Sequence, residues 1–280
     1  MQTINCRGRL LDLRISRVMG ILNVSPDSFY DGGRYMVESA ILRQVEKMLV
    51  DGADIIDVGG MSSRPGATII SEKEEMGRVL PTIKAILKRF PACILSVDTI
   101  RSEVARSAVG EGVGMINDIS AGELDERMFS TVAELSVPYV LMHIRGIPKT
   151  MQNDPAYKDV TLEILDYLIA KVGRLRELGV KDIVIDPGFG FGKTVGHNFE
   201  LLGSLDVLGI LGLPVLVGLS RKSMIHKTLG VTAGEALNGT TALHVVALER
   251  GAKILRVHDV KEAKEVIRLF EQLEATRPKK

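Results

Sequence analysis

The 280-residue chain predicts an α/β fold, a single-domain (β/α)8 barrel of the TIM type over 1–280, and three features predict it. One unit recurs: an amphipathic stretch, a glycine, then a short β-branched run ending in polar residues, as at Gly52 before DIIDVGG, Gly112 before GMINDIS, Gly179 before DIVIDPG and Gly251 before ILRVHD. A glycine there suits the left-handed position just past a helix, from which the chain enters a strand. Eight apolar runs of this kind in roughly 250 residues favour a closed barrel over the alternative, an open doubly wound sheet. No Pro/Ser-rich linker or low-complexity segment divides the chain, so one domain is expected.

The first predicted strand is 17–23 (RVMGILN), followed by 54–60, 94–99 (ILSVDT), 114–120, 139–143 (YVLMH), 182–187, 214–220 (PVLVGLS) and 254–259. Near-continuous apolar runs separated by helices signal parallel strands buried on both faces. The intervening stretches have helical period. Ile41, Val45, Met48 and Leu49 form one buried stripe, Leu165, Leu168, Ile169 and Val172 a second, and Ala263, Val266, Ile267 and Phe270 a third.

The net charge of +1 gives no electrostatic reason to expect nucleic acid or an anionic membrane as partner, so small molecules are the expected ligands. The longest charge-free stretch, Val207 to Ser220, is too short to span a bilayer. Arg7, Arg9, Asp12, Arg14 and Arg17 break up any apolar core of a signal peptide, and a cytoplasmic location is expected. Cys6 and Cys93 have neither metal-ligand nor disulfide spacing and read as packing residues.

In such a barrel the active site lies at the C-terminal ends of the strands. The apolar runs finish, in order, with Asn23, Gly59 and Gly60, Asp98, Asn117, His143, Asp186, the run Ser220-Arg221-Lys222, and Arg256 with His258. Ionised Asp98 and Asp186 accept hydrogen bonds only; with Asn117 they match a flat ligand carrying adjacent N–H donors, such as an aminopyrimidinone ring. The alternative is that either aspartate pairs with Lys222 or Arg256 inside the barrel. Arg256 and His258, two apart on one strand, share a face, and Lys222 stands where a strand gives way to a helix, which together suggest a phosphorylated ligand.

DPGFGFGKT, residues 186–194, carries the Gly-Lys-Thr ending of a phosphate-binding loop, but Pro187 stands where the first glycine of such a loop belongs. The proline follows a strand-ending aspartate and turns the chain out of the barrel, which leaves Lys193 without an evident ligand. Two further loops, NVSPDSFYDGG and GGMSSRPGA, are long for strand-to-helix connections and read either as lids or as spacers.

Taken in order, MGILNVSPDSFYDGG, DVGGMSSRPGA, SVDT, INDIS, MHIRGIPKTMQ, IDPGFGFGK, LSRKSM and LRVHDV resemble the dihydropteroate synthases from Val18 to Val260. The resemblance implies a (β/α)8 enzyme of folate synthesis and sulfonamide target. Such an enzyme joins 6-hydroxymethyl-7,8-dihydropterin pyrophosphate to 4-aminobenzoate with Mg²⁺, by an SN1-like course, as a homodimer. It implies that Asp98, Asn117, Asp186 and Lys222 hold the pterin, with Met142, Phe191 and Gly218 lining its slot. Asn23, Arg64, Arg256 and His258 would hold the pyrophosphate, with Asn23 also at the metal. Phe29, Ser63, Pro65, Phe191, Lys222 and Ser223 would form the 4-aminobenzoate pocket, and Asp31 would stabilise the developing cation.

Family members commonly read GGESTRPGA, whereas this chain has Met61 for the Glu and Ser63 for the Thr, so an altered KM or sulfonamide sensitivity is expected rather than inactivity. His197 is expected to cap a helix, His143 to touch the pterin, and His226 and His244 to be surface or packing residues. The competing enzyme reading is a pterin-dependent methyltransferase acting from methyltetrahydrofolate on a corrinoid protein, which has no need of the cationic set. A catalytically dead pterin-binding subunit is a third, against which Lys222, Arg256 and His258 argue.

Overall fold

The computed structural model describes residues 3–24, 34–61, 70–147 and 150–277. A hairpin of two short strands, β1 (Thr3–Cys6) and β2 (Arg9–Asp12), comes first. Eight parallel strands then close into a barrel: β3 (Arg17–Asn23), β4 (Ile55–Gly59), β5 (Leu95–Asp98), β6 (Met115–Asp118), β7 (Tyr139–Met142), β8 (Ile183–Asp186), β9 (Val215–Val217) and β10 (Ala252–Val257), with β10 pairing back on β3. These are the eight predicted strands, mostly trimmed by a residue or more at their ends.

Around the barrel run α1 (Arg34–Val50), α2 (Glu72–Arg89), α3 (Ser102–Glu111), α4 (Met128–Leu135), α5 (Val160–Glu177), α6 (Val195–Gly203), α7 (Ser223–Leu229), α8 (Leu237–Glu249) and α9 (Val260–Thr276). Gly52, Gly112, Gly179 and Gly251 all adopt positive φ, as the repeating unit requires. Ser71 and Asp159 cap α2 and α5 by accepting hydrogen bonds from the backbone N–H of Glu74 and Leu162, which satisfies donors that the first helical turn leaves open. The predicted stripe of α5 needs one correction. Ile169 is exposed, because the buried face runs through Ile164, Leu165, Leu168, Val172 and Leu175 and leaves it at the edge.

Two hydrophobic layers fill the molecule. The outer one lies between strands and helices and includes Val18, Ile56, Val58, Val97 and Leu255 with Val45, Val79, Val104, Leu168 and Ile267. The inner one seals the base of the barrel: Met19, Ile55, Met115, Val140, Val184, Leu216 and Ile254 meet Ile4, Cys6, Leu11 and Leu13. The N-terminal hairpin, which lies outside the eight expected strands, is thus the plug of the barrel, its alternate residues turned inward. Cys6 and Cys93 are both buried as free thiols, and burial pushes each thiol pKa up to about 12, in keeping with packing residues.

Candidate active site

Side chains alternate along a strand, so two residues above each base-sealing side chain the next inward layer begins. Counted from Ile55, Met115, Val140, Val184, Leu216 and Ile254, that layer is Asp57, Asn117, Met142, Asp186, Gly218 and Arg256. Asp57 Oδ2 accepts from Asn117 Nδ2 at 2.9 Å and from Arg256 Nε at 2.7 Å, while Arg256 Nη2 donates to Asp98 Oδ2 at 2.6 Å. No two of these bonded partners stand on neighbouring strands, so every bond crosses the barrel interior.

The register sets four strand-end residues side by side. Asn23 lies beside Gly59, Gly59 beside Asp98, and Asp98 beside Asn117. Burial pushes the Asp98 carboxyl up to about 7, against the pull of the Arg256 charge and reinforced by Asp57 nearby. Asp57 is fully buried, and its Oδ1 has no hydrogen-bond partner among the described residues. Asp57 is not among the strand-end residues expected from the sequence, although its place two residues after the inward Ile55 marks it as inward. Of the two readings left open for Asp98, the pairing with Arg256 is formed. That pairing directs two of the three guanidinium nitrogens of Arg256 at carboxylates.

Asp186 and Lys222 stand at the ends of the neighbouring strands β8 and β9, close enough for each charge to act on the other. Asp186 Oδ1 accepts from the Gly188 N–H at 2.7 Å, and burial raises its pKa while the Lys222 charge opposes the rise. Lys222, the residue preceding α7, donates from Nζ to the Phe189 carbonyl and lies 4.5 Å from the centre of the Phe191 ring, a cation–π distance. Burial brings its pKa down to about 8, with the Asp186 charge resisting. Ser223 opens α7, half-buried, next to it.

Above the polar layer Ile100, Ile119, Met142, Ile144, Met151 and Phe191 form a separate apolar cluster, with Met61 packed against it. Met142 and Phe191 were expected there. Ile100, Ile119 and Ile144 were not, yet each follows an inward residue (Asp98, Asn117, Met142) by two, so the same alternation carried on past the strand ends would have found them. Gly218 leaves room beside the Lys222 amine: a Cβ built there would lie 3.9 Å from Nζ.

On the anion side, Asn23 ends β3 exposed, and His258 stands just past β10, its Nδ1 3.0 Å from Ser220 Oγ. Arg221 is turned away and pairs with Asp259 through Nε and Nη2, both at 2.8 Å. Phe29, Asp31, Ser63, Arg64 and Pro65 lie outside the described residues. His143 is buried and faces Lys193, whose Nζ lies 3.0 Å from its Nδ1, rather than standing open to a ligand. His197 forms a capping box with Thr194 at the start of α6, as expected; His244 is a buried packing residue and His226 a half-buried one.

Residues 19–258 match the family described as pterin binding enzyme. The dihydropteroate synthase of Escherichia coli strain K12 is 45% identical over 267 residues, which cover 95% of this chain and 94% of that protein. The solved Xanthomonas albilineans dihydropteroate synthase with 4-aminobenzoic acid superposes with a TM-score of 0.92 at 40% identity, covering 99% of each chain. The same enzyme in complex with 7,8-dihydropteroate gives a TM-score of 0.88 at 38% identity, covering 98% of this chain and 100% of that one. A barrel mouth lined by carboxylates, a carboxamide and an apolar slot, on a chain this similar throughout its length, belongs to the pterin-binding enzymes and, among them, to the dihydropteroate synthase family.

Proposed function

We propose that the chain condenses 6-hydroxymethyl-7,8-dihydropterin pyrophosphate with 4-aminobenzoate, giving 7,8-dihydropteroate and pyrophosphate. The observation that carries this reading is the inward layer: Asp98 beside Asn117, with Asp186 beside Met142 on the next strands, next to an apolar cluster and with Lys222 held over Phe191. Such a site offers hydrogen-bond acceptors at its floor and flat walls above, which an aminopyrimidinone ring satisfies. Asp98, Asn117, Asp186 and Lys222 hold the pterin, with Met142, Phe191 and Gly218 lining the slot. Phe191, Lys222 and Ser223 face the amine substrate.

The reaction needs no protein nucleophile. The bond from the pterin methylene to the pyrophosphate oxygen breaks with its electron pair leaving on oxygen, and the electron-rich ring shares the positive charge left on carbon. The amine lone pair of 4-aminobenzoate then forms the C–N bond and the nitrogen sheds a proton, which accounts for both electrons and charge. Carboxylates in a dry site stabilise the cation, and His258, with Arg256 below it, supplies donors to the departing anion. Ser220 Oγ, 3.0 Å from His258 Nδ1, braces the imidazole at the strand end.

Mg²⁺ is the expected cofactor. The described residues contain no cluster of three His, Cys, Asp or Glu side chains able to hold a metal, and Asn23 offers a single carboxamide oxygen. That donor set fits an ion which keeps several waters and is held mainly by substrate phosphates. Asn23 would hold it, and it would neutralise charge on the leaving oxygens. Phe199, Leu229, Val245 and Val246 are exposed apolar residues on α6, α7 and α8, helices that touch one another, and they supply a face for the expected homodimer. No helix among the described residues is long and apolar enough to cross a membrane, and a cytoplasmic enzyme fits this.

The test is product analysis: purified protein given both substrates and Mg²⁺ should release pyrophosphate and form dihydropteroate. Methyl transfer from methyltetrahydrofolate to a corrinoid protein without that release would overturn the reading in favour of the methyltransferase.

A further inference from the structure

Lys193 is the residue that gives 186–194 its likeness to a phosphate-binding loop, and the structure turns it the other way. In a phosphate loop backbone N–H groups converge on an anion and the lysine reaches out to it. Here the loop's carbonyls converge on the lysine. Nζ lies 2.9 Å from the Gly188 oxygen, 3.1 Å from the Phe191 oxygen and 3.0 Å from His143 Nδ1, with the whole side chain buried. Burial pushes the Lys193 pKa well down, and the two carbonyls with the imidazole nitrogen give its amine three hydrogen-bond partners, so the group is satisfied without any substrate.

The backbone it holds has one internal tie, the Phe191 N–H donating to the Gly188 oxygen at 3.1 Å, and little else of its own to fix it. Gly188 and Gly192 have φ of +70° and +64°, and a Cβ at either would lie 1.9 Å from the His143 oxygen or 2.5 Å from the Arg145 oxygen, so both must be glycine, the most mobile residue. External bonds tie the loop's outside: Gly190 N–H donates to Asn198 Oδ1 at 2.6 Å and Tyr157 Oη–H to the Gly192 oxygen at 2.9 Å. Lys193 ties its inside. Between the two carbonyls that it grips lie the Phe189 oxygen, which accepts from Lys222, and then the Phe191 ring under the Lys222 ammonium.

We propose that Lys193 is a positioning residue of the substrate site: by gripping Gly188, Phe191 and His143 from inside the loop, it places the Phe189 carbonyl and the Phe191 ring against Lys222. The proposal rests on the assignment of Phe191 and Lys222 to the substrates. Without Lys193 the buried Phe191 carbonyl loses its donor and the Gly188 carbonyl keeps only the Phe191 N–H, so the loop must rearrange to reach water or another partner. The Lys222 amine then loses the two groups that fix it.

The test uses the full chain at a temperature where each variant is fully folded, with kcat/KM followed across pH. In Lys193→Met, kcat/KM is expected to fall on the order of a hundredfold, the cost of misplacing reacting groups by about 1 Å. The alkaline limb that reports Lys222 is expected to move upward as water reaches an amine that burial had lowered to about 8. Lys193→Gln retains two N–H donors for the two carbonyls and should recover part of the loss. Lys222→Ala is the control and should abolish turnover; if it stays active, the assignment of Lys222 fails whatever Lys193 does. With Lys222→Ala dead, a Lys193→Met enzyme of native kcat/KM and unmoved alkaline limb overturns the positioning role alone. Failure of both Lys193 variants to fold would make Lys193 a scaffold residue and overturn it as well.

Discussion

Arg256 reaches across the barrel to Asp57, Nε to Oδ2 at 2.7 Å, and so ties the last strand of the barrel to its second. The same guanidinium holds Asp98 at 2.6 Å, and the Arg256 side chain is only 18% exposed. Two buried carboxylates therefore depend on one cation. Arg256→Met is expected to cost about 3–5 kcal/mol, the usual penalty for stripping a buried charge of its partner. Adding Asp57→Asn should recover part of it, since a neutral amide needs no counter-charge, making the pair non-additive. Urea denaturation of the two single variants and the double would check this; simple additivity would mean that Asp57 and Arg256 are not coupled.

Asp98 links stability to pH. Its carboxyl is pushed from 3.8 up to about 7, chiefly by burial, so the folded state holds a proton that the unfolded chain releases. A carboxylate with a raised folded pKa contributes most in its protonated form, and that contribution fades as pH climbs from 3.8 to about 7 and is absent above. Asp98→Asn keeps an acceptor for Arg256 but cannot titrate. Relative to this variant the parent protein should lose Tm over that window and hold a constant difference beyond it. An identical Tm difference at both ends of the window would remove Asp98 as its source.

The strand order and the strand-end residues were readable in the sequence because parallel strands buried on both faces leave near-continuous apolar runs whose polar ends stand out. Asp57 was less visible because it sits inside such a run, flanked by Ile56 and Val58, and only the two-residue step from Ile55 marks it as inward. The hairpin that plugs the base was hidden by brevity: Ile4, Cys6, Leu11 and Leu13 alternate correctly, but two strands of four residues barely register as periodic. Lys193 shows the opposite difficulty. Its motif was conspicuous, but whether a Gly-rich loop turns N–H groups or carbonyls inward is decided by φ and ψ, and three glycines leave both open.

Met61 replaces the glutamate common at this point of the family pattern, and it packs against the cluster of Ile100, Met142 and Phe191. The side chain therefore extends the apolar wall of the proposed pterin slot by one thioether. Met61→Ala is expected to raise KM for the pterin substrate several-fold, with kcat little changed, because a wall contact of roughly 1 kcal/mol is present in ground and transition states alike. Steady-state kinetics with each substrate varied in turn would check it. A rise confined to the 4-aminobenzoate KM would move Met61 to the other pocket.

Ile4 separates folding from chemistry. It is buried in the layer that seals the base, among Met19, Met115 and Ile254, at the end of the barrel opposite the strand C-termini. Ile4→Ala removes packed methyl and methylene groups where the strands around it cannot close in, so the loss should be about 2–5 kcal/mol, including the cavity left behind. Residues at the bottom of such a barrel serve stability and those at the top serve the reaction. The variant should therefore melt well below the parent protein yet keep its kcat and both KM values when assayed in the cold. A large fall in kcat under those conditions would mean that the hairpin plug transmits its packing through the barrel to the Asp57 layer.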